Sequence, residues 1–230
     1  MVVKFNLQSL EFGSCFSYTP RPSSLVPTIL DSMKDSKNYT LWLKQDIMVT
    51  VGEDKDSIPM STYVANTLSR NLSTLPFADF FGDYTILVPV PSSSITPPGG
   101  LWVPKRIAEA MVSLGIGDDV VTLLKRSSSV PKSSYSSPAK RPSPSTHYDS
   151  LTVERSITDI TNVILIDDVI TRGSTMIGCA NRLLDEIPGI KVRGFGAIRT
   201  MSYATNFVNW YDPVKGSVIL DLSGDPQRTP

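Results

Sequence analysis

The residues with the clearest chemistry are two adjacent acids and, three positions later, a run of hydroxyl-bearing side chains around a glycine. Asp167 and Asp168 follow an apolar run at 163–166, and residues 171–175 read Thr, Arg, Gly, Ser, Thr. Ionised carboxylates only accept hydrogen bonds, so beside a phosphate they would suit neighbouring hydroxyl groups such as those of a ribose. Hydroxyl donors and an arginine would suit the phosphate itself. The residue types and their spacing therefore predict a site for a sugar phosphate.

A strand, a tight loop and a helix are needed to hold these residues together. The continuous apolar run at 163–166 indicates a buried strand, and apolar residues then recur at helical spacing between positions 176 and 187. The loop would lie at the carboxyl end of the strand and the amino end of the helix. Unpaired N–H groups and the helix dipole favour an anion there, and Gly173 lets the backbone approach it. The alternative is an ordinary capped helix with Asp167 and Asp168 as turn residues, which leaves two acids at a buried strand end without partners.

Segment 163–175 resembles the phosphoribosyl-pyrophosphate (PRPP) binding motif of the type I phosphoribosyltransferases. In that family a hydrophobic run is followed by two acids, a hydrophobic pair, threonine, a variable residue, glycine, a small residue and threonine. Every class is met, with Arg172 at the variable position and Ser174 at the small one. The similarity covers about residues 84–200, and its layout looks most like the competence-protein-F-like branch. The zinc-binding N-terminal cysteines of that branch have no certain counterpart in this sequence.

The resemblance implies an α/β fold with an open, mainly parallel sheet flanked by helices. N-terminal or C-terminal segments, or both, would add a small hood. We therefore expect N-terminal strands and the hood at 1–60, a phosphoribosyltransferase-like core at 61–222, and a tail at 223–230 that is frayed from Gln227 onward. With 230 residues, the chain is long enough to bury the core that this fold needs.

The resemblance also implies a role for each site residue. Asp167 and Asp168 would hold the ribose hydroxyls and help to place Mg²⁺, which binds chiefly to the substrate. The 5-phosphate would contact Thr171, Arg172, Gly173, Ser174 and Thr175. The pyrophosphate would contact Pro91, Ser92 and Ser93, together with Lys105 or Arg106. The implied reaction displaces pyrophosphate from PRPP by a nitrogen nucleophile, a nucleobase or ammonia, and depends on positioning and electrostatics.

The residues assigned to the pyrophosphate have a second interpretation. The strand predicted at 85–91 leads into a Ser- and Pro-rich loop, which on sequence alone is typical of a plain turn. Pro104 begins a helix whose apolar face is predicted from Ile107, Met111 and Leu114. Lys105 and Arg106 lie in the first turn of this helix, where cations oppose its dipole. Either a bound pyrophosphate or solvation would offset that repulsion.

Residues 127–150 are rich in serine and proline and cannot form core. Composition alone indicates a disordered linker, but a linker here would separate strands that must share one sheet. We therefore expect a flexible loop over the site. The family resemblance implies that this loop closes over PRPP and excludes water, with Lys132, Lys140 and Arg141 as candidates to neutralise the leaving pyrophosphate. His147, a lone histidine in a polar loop, is expected to be exposed and inert.

Other segments are read from periodicity and turn signals. Strands are expected within 5–16 and at 47–51, 120–124, 191–198 and 217–221, with a short helix or strand at 36–46. Ser61 is expected to cap a helix whose apolar face holds Val64, Leu68, Leu72 and Leu75. Arg199 ends a strand at the edge where ligands gather, so it is the candidate on the base side. The aromatic residues Tyr203, Phe207, Trp210 and Tyr211 lie near it in sequence, and packing against the sheet is the favoured role for most of them.

Composition limits the classes of function. The formal net charge is +0 and charged residues make up 19%, so there is no global basic field for nucleic acid and any polyanion site must be local. No apolar run approaches the roughly 20 residues of a membrane span, and the first residues do not form a signal peptide, so a cytoplasmic protein is expected. Two cysteines and one histidine without ligand spacing argue against structural zinc.

Three functions are consistent with the sequence. The first is a phosphoribosyltransferase that uses PRPP, Mg²⁺ and a nucleobase or ammonia, and that forms a homodimer or larger complex as family members often do. The second is a non-catalytic PRPP or nucleotide sensor that regulates a protein or nucleic-acid partner, including a defence or toxin complex. The third is a hydrolase of PRPP or a nucleotide. Fold analogy does not separate them, because function depends on the site.

Overall fold

A sheet of seven strands forms the centre of the protein, which we describe from a computed structural model covering residues 5–19, 27–53, 55–131, 141–154, 160–201 and 207–230. The strands are β1 (Ser9–Tyr18), β2 (Met48–Val51), β3 (Asp56–Pro59), β4 (Thr85–Pro89), β5 (Asp119–Val120), β6 (Leu124–Arg126), β7 (Leu151–Val153), β8 (Asn162–Ile170), β9 (Lys191–Thr200), β10 (Tyr211–Leu220) and β11 (Pro226–Thr229). The helices are α1 (Pro27–Gln45), α2 (Met60–Asn71), α3 (Val103–Ser113), α4 (Pro144–Asp149) and α5 (Ser174–Glu186). Two 3-10 turns, Leu72–Thr74 and Ala78–Phe80, follow α2.

The strand order in the sheet is β11-β10-β1-β9-β8-β4-β5. Strands β1, β9, β8, β4 and β5 are parallel, whereas β10 runs antiparallel to both of its neighbours. The carboxyl ends of β1, β9, β8 and β4 therefore lie at the same edge of the sheet. The expected α/β class, with a mostly parallel sheet flanked by helices, is confirmed.

Strand β8 is apolar from Val163 to Ile166 because both of its faces are covered there. Val163 and Leu165 pack in the apolar cluster formed with α5, and Ile164 and Ile166 pack in the cluster formed with α2 and α3. Each of these four side chains is at most 1% exposed. Burial of one such side chain contributes roughly 1.5–3 kcal/mol, so this strand is held firmly between two helical layers.

The two ends of the chain differ from expectation. Strand β1 pairs with β9 and β10 inside the main sheet, so this N-terminal strand does not belong to a separate hood. Residues 36–45 are part of the long helix α1, and the predicted strand at 47–51, observed as β2, forms a hairpin with β3. The tail expected at 223–230 carries β11, which extends the sheet edge through its pairing with β10.

Three details of the core prediction are wrong. The apolar run 120–124 is not one strand: its start pairs with β4 in the main sheet, and its end begins β6, which pairs with β7. Ser61 does not cap α2; instead its backbone N–H donates to the Asp46 carboxylate at 2.8 Å. Leu114 is 41% exposed because α3 ends at the preceding residue.

Among the described helices, we find no apolar stretch of the length that a bilayer crossing needs.

Candidate functional site

The two loops predicted to bind PRPP meet at the carboxyl edge of the sheet. Strands β4 and β8 are neighbours, with Pro89 opposite Ile166, and the Val90 N–H donates to the Ile166 carbonyl at 2.8 Å. The residues that follow both strands therefore lie side by side. They surround a cavity of about 530 Å³, whose lining includes Pro91, Ser92, Ser93, Asp167, Asp168, Thr171 and Thr175.

The two acids lie on the wall of this cavity. One oxygen of each carboxylate is held by the next backbone N–H: Asp168 N donates to Asp167 Oδ1 at 3.0 Å, and Val169 N donates to Asp168 Oδ1 at 2.8 Å. Burial, and next the negative charge of Asp168, raise the pKa of Asp167 well above its usual value. Asp167 therefore holds a proton more readily than an isolated carboxyl group would, unless a cation or a hydrogen-bond donor approaches.

The loop between β8 and α5 has the form of an anion site. Gly173 adopts φ +86° as the cap of α5, and a Cβ atom there would lie 2.4 Å from Val218 Cγ2, so only glycine fits without strain. No capping side chain covers the first N–H groups of α5. Arg141 and Arg172 line a small cavity of about 30 Å³ formed by this loop, together with Thr171, Ser174 and Thr175. Two cations thus line the cavity at the amino end of a helix, which itself favours an anion.

Hydrogen bonds within the loop and to the residues around it hold the loop after β4 in shape. Trp102 Nε1 donates to the Val90 carbonyl at 2.8 Å, which folds the far end of the loop back onto the strand. Ser92 Oγ donates to the Ser94 carbonyl at 2.7 Å and accepts from Ser94 N at 3.2 Å. In the described ranges, no acceptor pairs with the backbone N–H groups of Ser92 and Ser93. These two amides are available to an anion in the cavity.

The predicted cations of α3 do not line the main cavity in the part of the chain that the structure describes. Lys105 Nζ lies 3.5 Å from Glu109, and Arg106 Nη1 lies 3.5 Å from Asp46 Oδ2. These carboxylates offset the repulsion between the cations and the helix dipole, for which the sequence left open either a bound pyrophosphate or solvation. Lys105 instead lines a second cavity of about 510 Å³, which shares Pro91, Ser92 and Ser94 with the main cavity.

Arg199 stands near the end of β9, at the same edge as the site, but it is 3% exposed and pairs with Asp212. Its guanidinium donates to both the carbonyl and the carboxylate of Asp212. Trp210 stacks on Phe16 with ring centroids 4.5 Å apart, and Phe207 is also buried. Of the predicted base-side group, these described residues have packing roles, and Tyr203 lies outside the described residues.

The expected loop at 127–150 is only partly a loop. Lys132 and Lys140 lie outside the described residues, and Arg141 lines the small cavity. The prediction that His147 is exposed is wrong: it is 2% exposed, because α4 packs against α5. Ser143 caps α4 by accepting from Thr146 N at 3.2 Å, and Pro144 follows it. This pair is a recognised helix start and is the sequence signal that could have located the helix.

Sequence reasoning also missed Arg126 and Lys44. Arg126 Nε donates to the Ser92 carbonyl at 3.0 Å, so this side chain helps to hold the loop after β4 in place. Lys44, in the last turn of α1, lines the main cavity beside the Ser92 loop. The sequence signal that could have located Arg126 is its position just after the predicted buried strand at 120–124. No local pattern marks Lys44, because α1 reaches this cavity through tertiary packing.

The donor set suits a metal carried by a ligand better than a metal held by the protein alone. In the described part of the chain, no group of three or more His, Cys, Asp or Glu side chains is placed to hold a metal ion. Asp167 and Asp168 nevertheless present carboxylate oxygens at one cavity, which is the ligand type that Mg²⁺ prefers. With two acids and several coordinating waters or ligand oxygens, the site fits Mg²⁺ bound together with a phosphate ligand.

Models of known protein families give no match to this chain, and a search of curated proteins finds no significant similarity.

Proposed function

We propose that the protein binds PRPP with Mg²⁺ and transfers its phosphoribosyl group to a nitrogen acceptor, a nucleobase or ammonia, with release of pyrophosphate. The observation that carries the proposal is one cavity of about 530 Å³ that joins the acid pair to both anion loops. The resemblance of segment 163–175 to the type I phosphoribosyltransferase motif supports the same function. A mostly parallel sheet with its loops at the carboxyl edge is the architecture that such an enzyme needs.

The proposed pose follows from charge and hydrogen bonding. The 5-phosphate lies at the start of α5, where backbone N–H groups, Arg172 and Arg141 favour an anion. The ribose hydroxyls donate to Asp167 and Asp168. The pyrophosphate lies along the Ser92 loop, whose free amides face the cavity, and near Lys44.

In the proposed reaction the acceptor nitrogen forms a bond to the anomeric carbon as the bond from that carbon to the pyrophosphate oxygen breaks. The electron pair of the broken bond leaves with pyrophosphate, and the acceptor nitrogen loses a proton to solvent or to the leaving group. Mg²⁺, bound mainly by PRPP oxygens, would supply positive charge to the leaving group. The protein residues bind and orient the two reactants, so no side-chain nucleophile is required.

Calorimetry with PRPP in the presence of Mg²⁺ tests the binding step. We expect micromolar binding that is lost in the variant that carries both Asp167→Asn and Asp168→Asn. The fate of bound PRPP then separates the classes of function. A transferase consumes PRPP only with an acceptor, a hydrolase consumes it in water alone, and a sensor binds it without consuming it.

A further inference from the structure

The single histidine of the chain is buried between an arginine, which only donates hydrogen bonds, and a threonine, whose hydroxyl can donate or accept. Arg126 Nη2 lies 3.2 Å from His147 Nδ1, and Thr175 Oγ1 lies 3.3 Å from His147 Nε2. Arginine can only donate hydrogen bonds, so Nδ1 must accept and cannot carry a proton. The hydrogen of a neutral ring is then on Nε2, which donates to Thr175. The chemistry of Arg126 thus fixes the tautomer of His147.

The Thr175 hydroxyl can still donate a hydrogen bond of its own. Because its oxygen accepts from His147, its O–H is free to donate, and among the described residues His147 is its only side-chain partner. Thr175 lines both the main cavity and the small cavity at the start of α5. A donor there faces the position proposed for the 5-phosphate.

Short helix α4 is built to hold His147 in this place. A Cβ atom at Gly178 of α5 would lie 2.7 Å from the Pro144 carbonyl and 3.0 Å from His147 Cβ, so the missing side chain permits the close approach. Tyr148 Oη donates to Asp185 Oδ2 at 2.6 Å, and Arg182 lies over the Tyr148 ring at 5.2 Å. These contacts anchor α4 along the side of α5.

Arg126 connects this helix to the other loop of the site. Its Nη1 donates to Ser150 Oγ and to the His147 carbonyl, and its Nε donates to the Ser92 carbonyl. One half-buried cation therefore contacts both the helix that carries His147 and the loop proposed to bind pyrophosphate. Burial, and next the charge of Arg126, lower the pKa of His147 to about 4, so the ring is neutral near pH 7.

We infer that His147 is a positioning residue: held by Arg126 in the Nε2–H tautomer, it donates to Thr175 and directs the Thr175 hydroxyl proton toward a bound phosphate. The inference rests on the proposed function, because it requires the 5-phosphate to lie at the start of α5. It adds a role for His147 that depends on the ligand and acts through Thr175.

The tautomer can be observed without any ligand. Protein labelled with ¹⁵N-histidine gives signals from one ring, since the chain contains one histidine. We expect Nδ1 to resonate as an unprotonated, pyridine-type nitrogen and Nε2 as a protonated, pyrrole-type nitrogen at neutral pH. Ribose 5-phosphate should shift the Nε2 signal. A protonated Nδ1 would overturn the inference, whatever the protein binds.

Arg126, His147 and Thr175 form a chain of hydrogen bonds, which we call the relay. Its role is tested by calorimetry with ribose 5-phosphate. Asparagine at 147 can still accept from Arg126 but ends short of Thr175, whereas glutamine is long enough to donate to Thr175. We expect His147→Asn and Thr175→Val each to weaken binding by about tenfold, as loss of a hydrogen bond to a charged group does. The double variant should bind no more weakly than Thr175→Val alone, and His147→Gln should restore most of the affinity.

A purely structural role predicts other results. Tyr148→Phe removes the anchor to Asp185 without touching the relay, so it is the matched control and should bind ribose 5-phosphate as the wild type does. Additive losses in the double variant, or an equal loss in Tyr148→Phe, would overturn the inference while the wild type still binds. A wild-type protein that binds neither ribose 5-phosphate nor PRPP would instead overturn the proposed function, and the relay's ligand-directing role with it.

Discussion

Gly173 and Val218 are packed so closely that a Cβ atom at position 173 would lie 2.4 Å from Cγ2 of Val218. Gly173 also has φ +86°, a conformation that disfavours any side chain. Strand β10 thus packs closely against the loop that caps α5, and this packing leaves no space for a side chain in the turn at the proposed phosphate site. This contact between the antiparallel part of the sheet and the loop fixes where the first N–H groups of α5 are placed.

We predict that Gly173→Ala destabilises the protein and abolishes ribose 5-phosphate binding. Gly189→Ala is the matched control, because Gly189 has φ +88° but no atom within 4 Å of its Cβ position. The free energy of unfolding of the control should fall only by the cost of the left-handed backbone conformation, about 1–2 kcal/mol. Urea unfolding should show a larger loss for Gly173→Ala. Equal losses, with binding kept in both, would contradict the account of this turn.

We predict that Asp167→Asn combined with Asp168→Asn lowers PRPP affinity by at least about 100-fold, because two hydrogen bonds to charged groups are lost. The fold should remain, since the double variant removes both acids and with them the burial cost and the mutual repulsion that raise the pKa of Asp167. Asp83→Asn is the control: this exposed acid precedes β4, at the opposite edge of the sheet. Unchanged PRPP affinity in the double variant, measured by calorimetry, would refute the site assignment.

Lys44 offers a test of the pyrophosphate position. We expect Lys44→Gln to weaken PRPP binding by up to about fivefold, the range for an exposed charge, and to leave ribose 5-phosphate binding unchanged. Lys37→Gln, an exposed lysine on the same helix, should change neither affinity. If Lys44→Gln weakened both ligands equally, the pyrophosphate would not lie along the Ser92 loop as proposed.

Stability should fall in acid because of His147. The pKa of His147 is lowered from 6.5 to about 4 in the folded protein, so only the unfolded chain takes up a proton between these values. The stabilisation is complete above pH 6.5 and is lost as the pH falls toward 4, with a total of about 3 kcal/mol. Asp167 acts in the opposite sense, because its raised pKa stabilises the fold at low pH.

The two effects can be separated with His147→Gln, which has no titrating ring. Arg126, whose charge helps to lower the pKa of His147, remains in the variant, as do Asp167 and Cys179, which interact with Arg126. Urea unfolding from about pH 7 to about pH 4.5 should therefore show a steeper loss of stability in the wild type than in the variant. Parallel curves would mean that His147 is not buried as a neutral ring.

The sequence contains enough local information for the strand, loop and helix at 162–186, because the apolar run, the acids and the helical spacing lie within 25 consecutive positions. The position of β1 was not predictable, since its pairing with β9 and β10 joins residues about 180 to 210 positions apart. The burial of His147 depends on the fit of α4 against Gly178, which no pattern within 127–150 reveals.

Pairings between distant side chains explain the remaining differences. Asp46 takes the place of the cap expected from Ser61 and also neutralises Arg106, which removes the need for a bound anion near α3. Asp212 does the same for Arg199. In each case a charge assigned to the ligand from its position in the sequence meets a carboxylate of the protein itself. The acids and the phosphate loop, in contrast, keep their polar groups directed at a cavity.

The most direct test of the central claim is pyrophosphate release from PRPP and Mg²⁺, measured with each common nucleobase and with ammonia added singly. We predict release that depends on one acceptor and that is lost when Asp167 and Asp168 are both replaced by asparagine. Release in water alone, at a rate that no acceptor changes, would contradict a transferase. Tight PRPP binding without release under any condition would contradict it equally and favour a sensor.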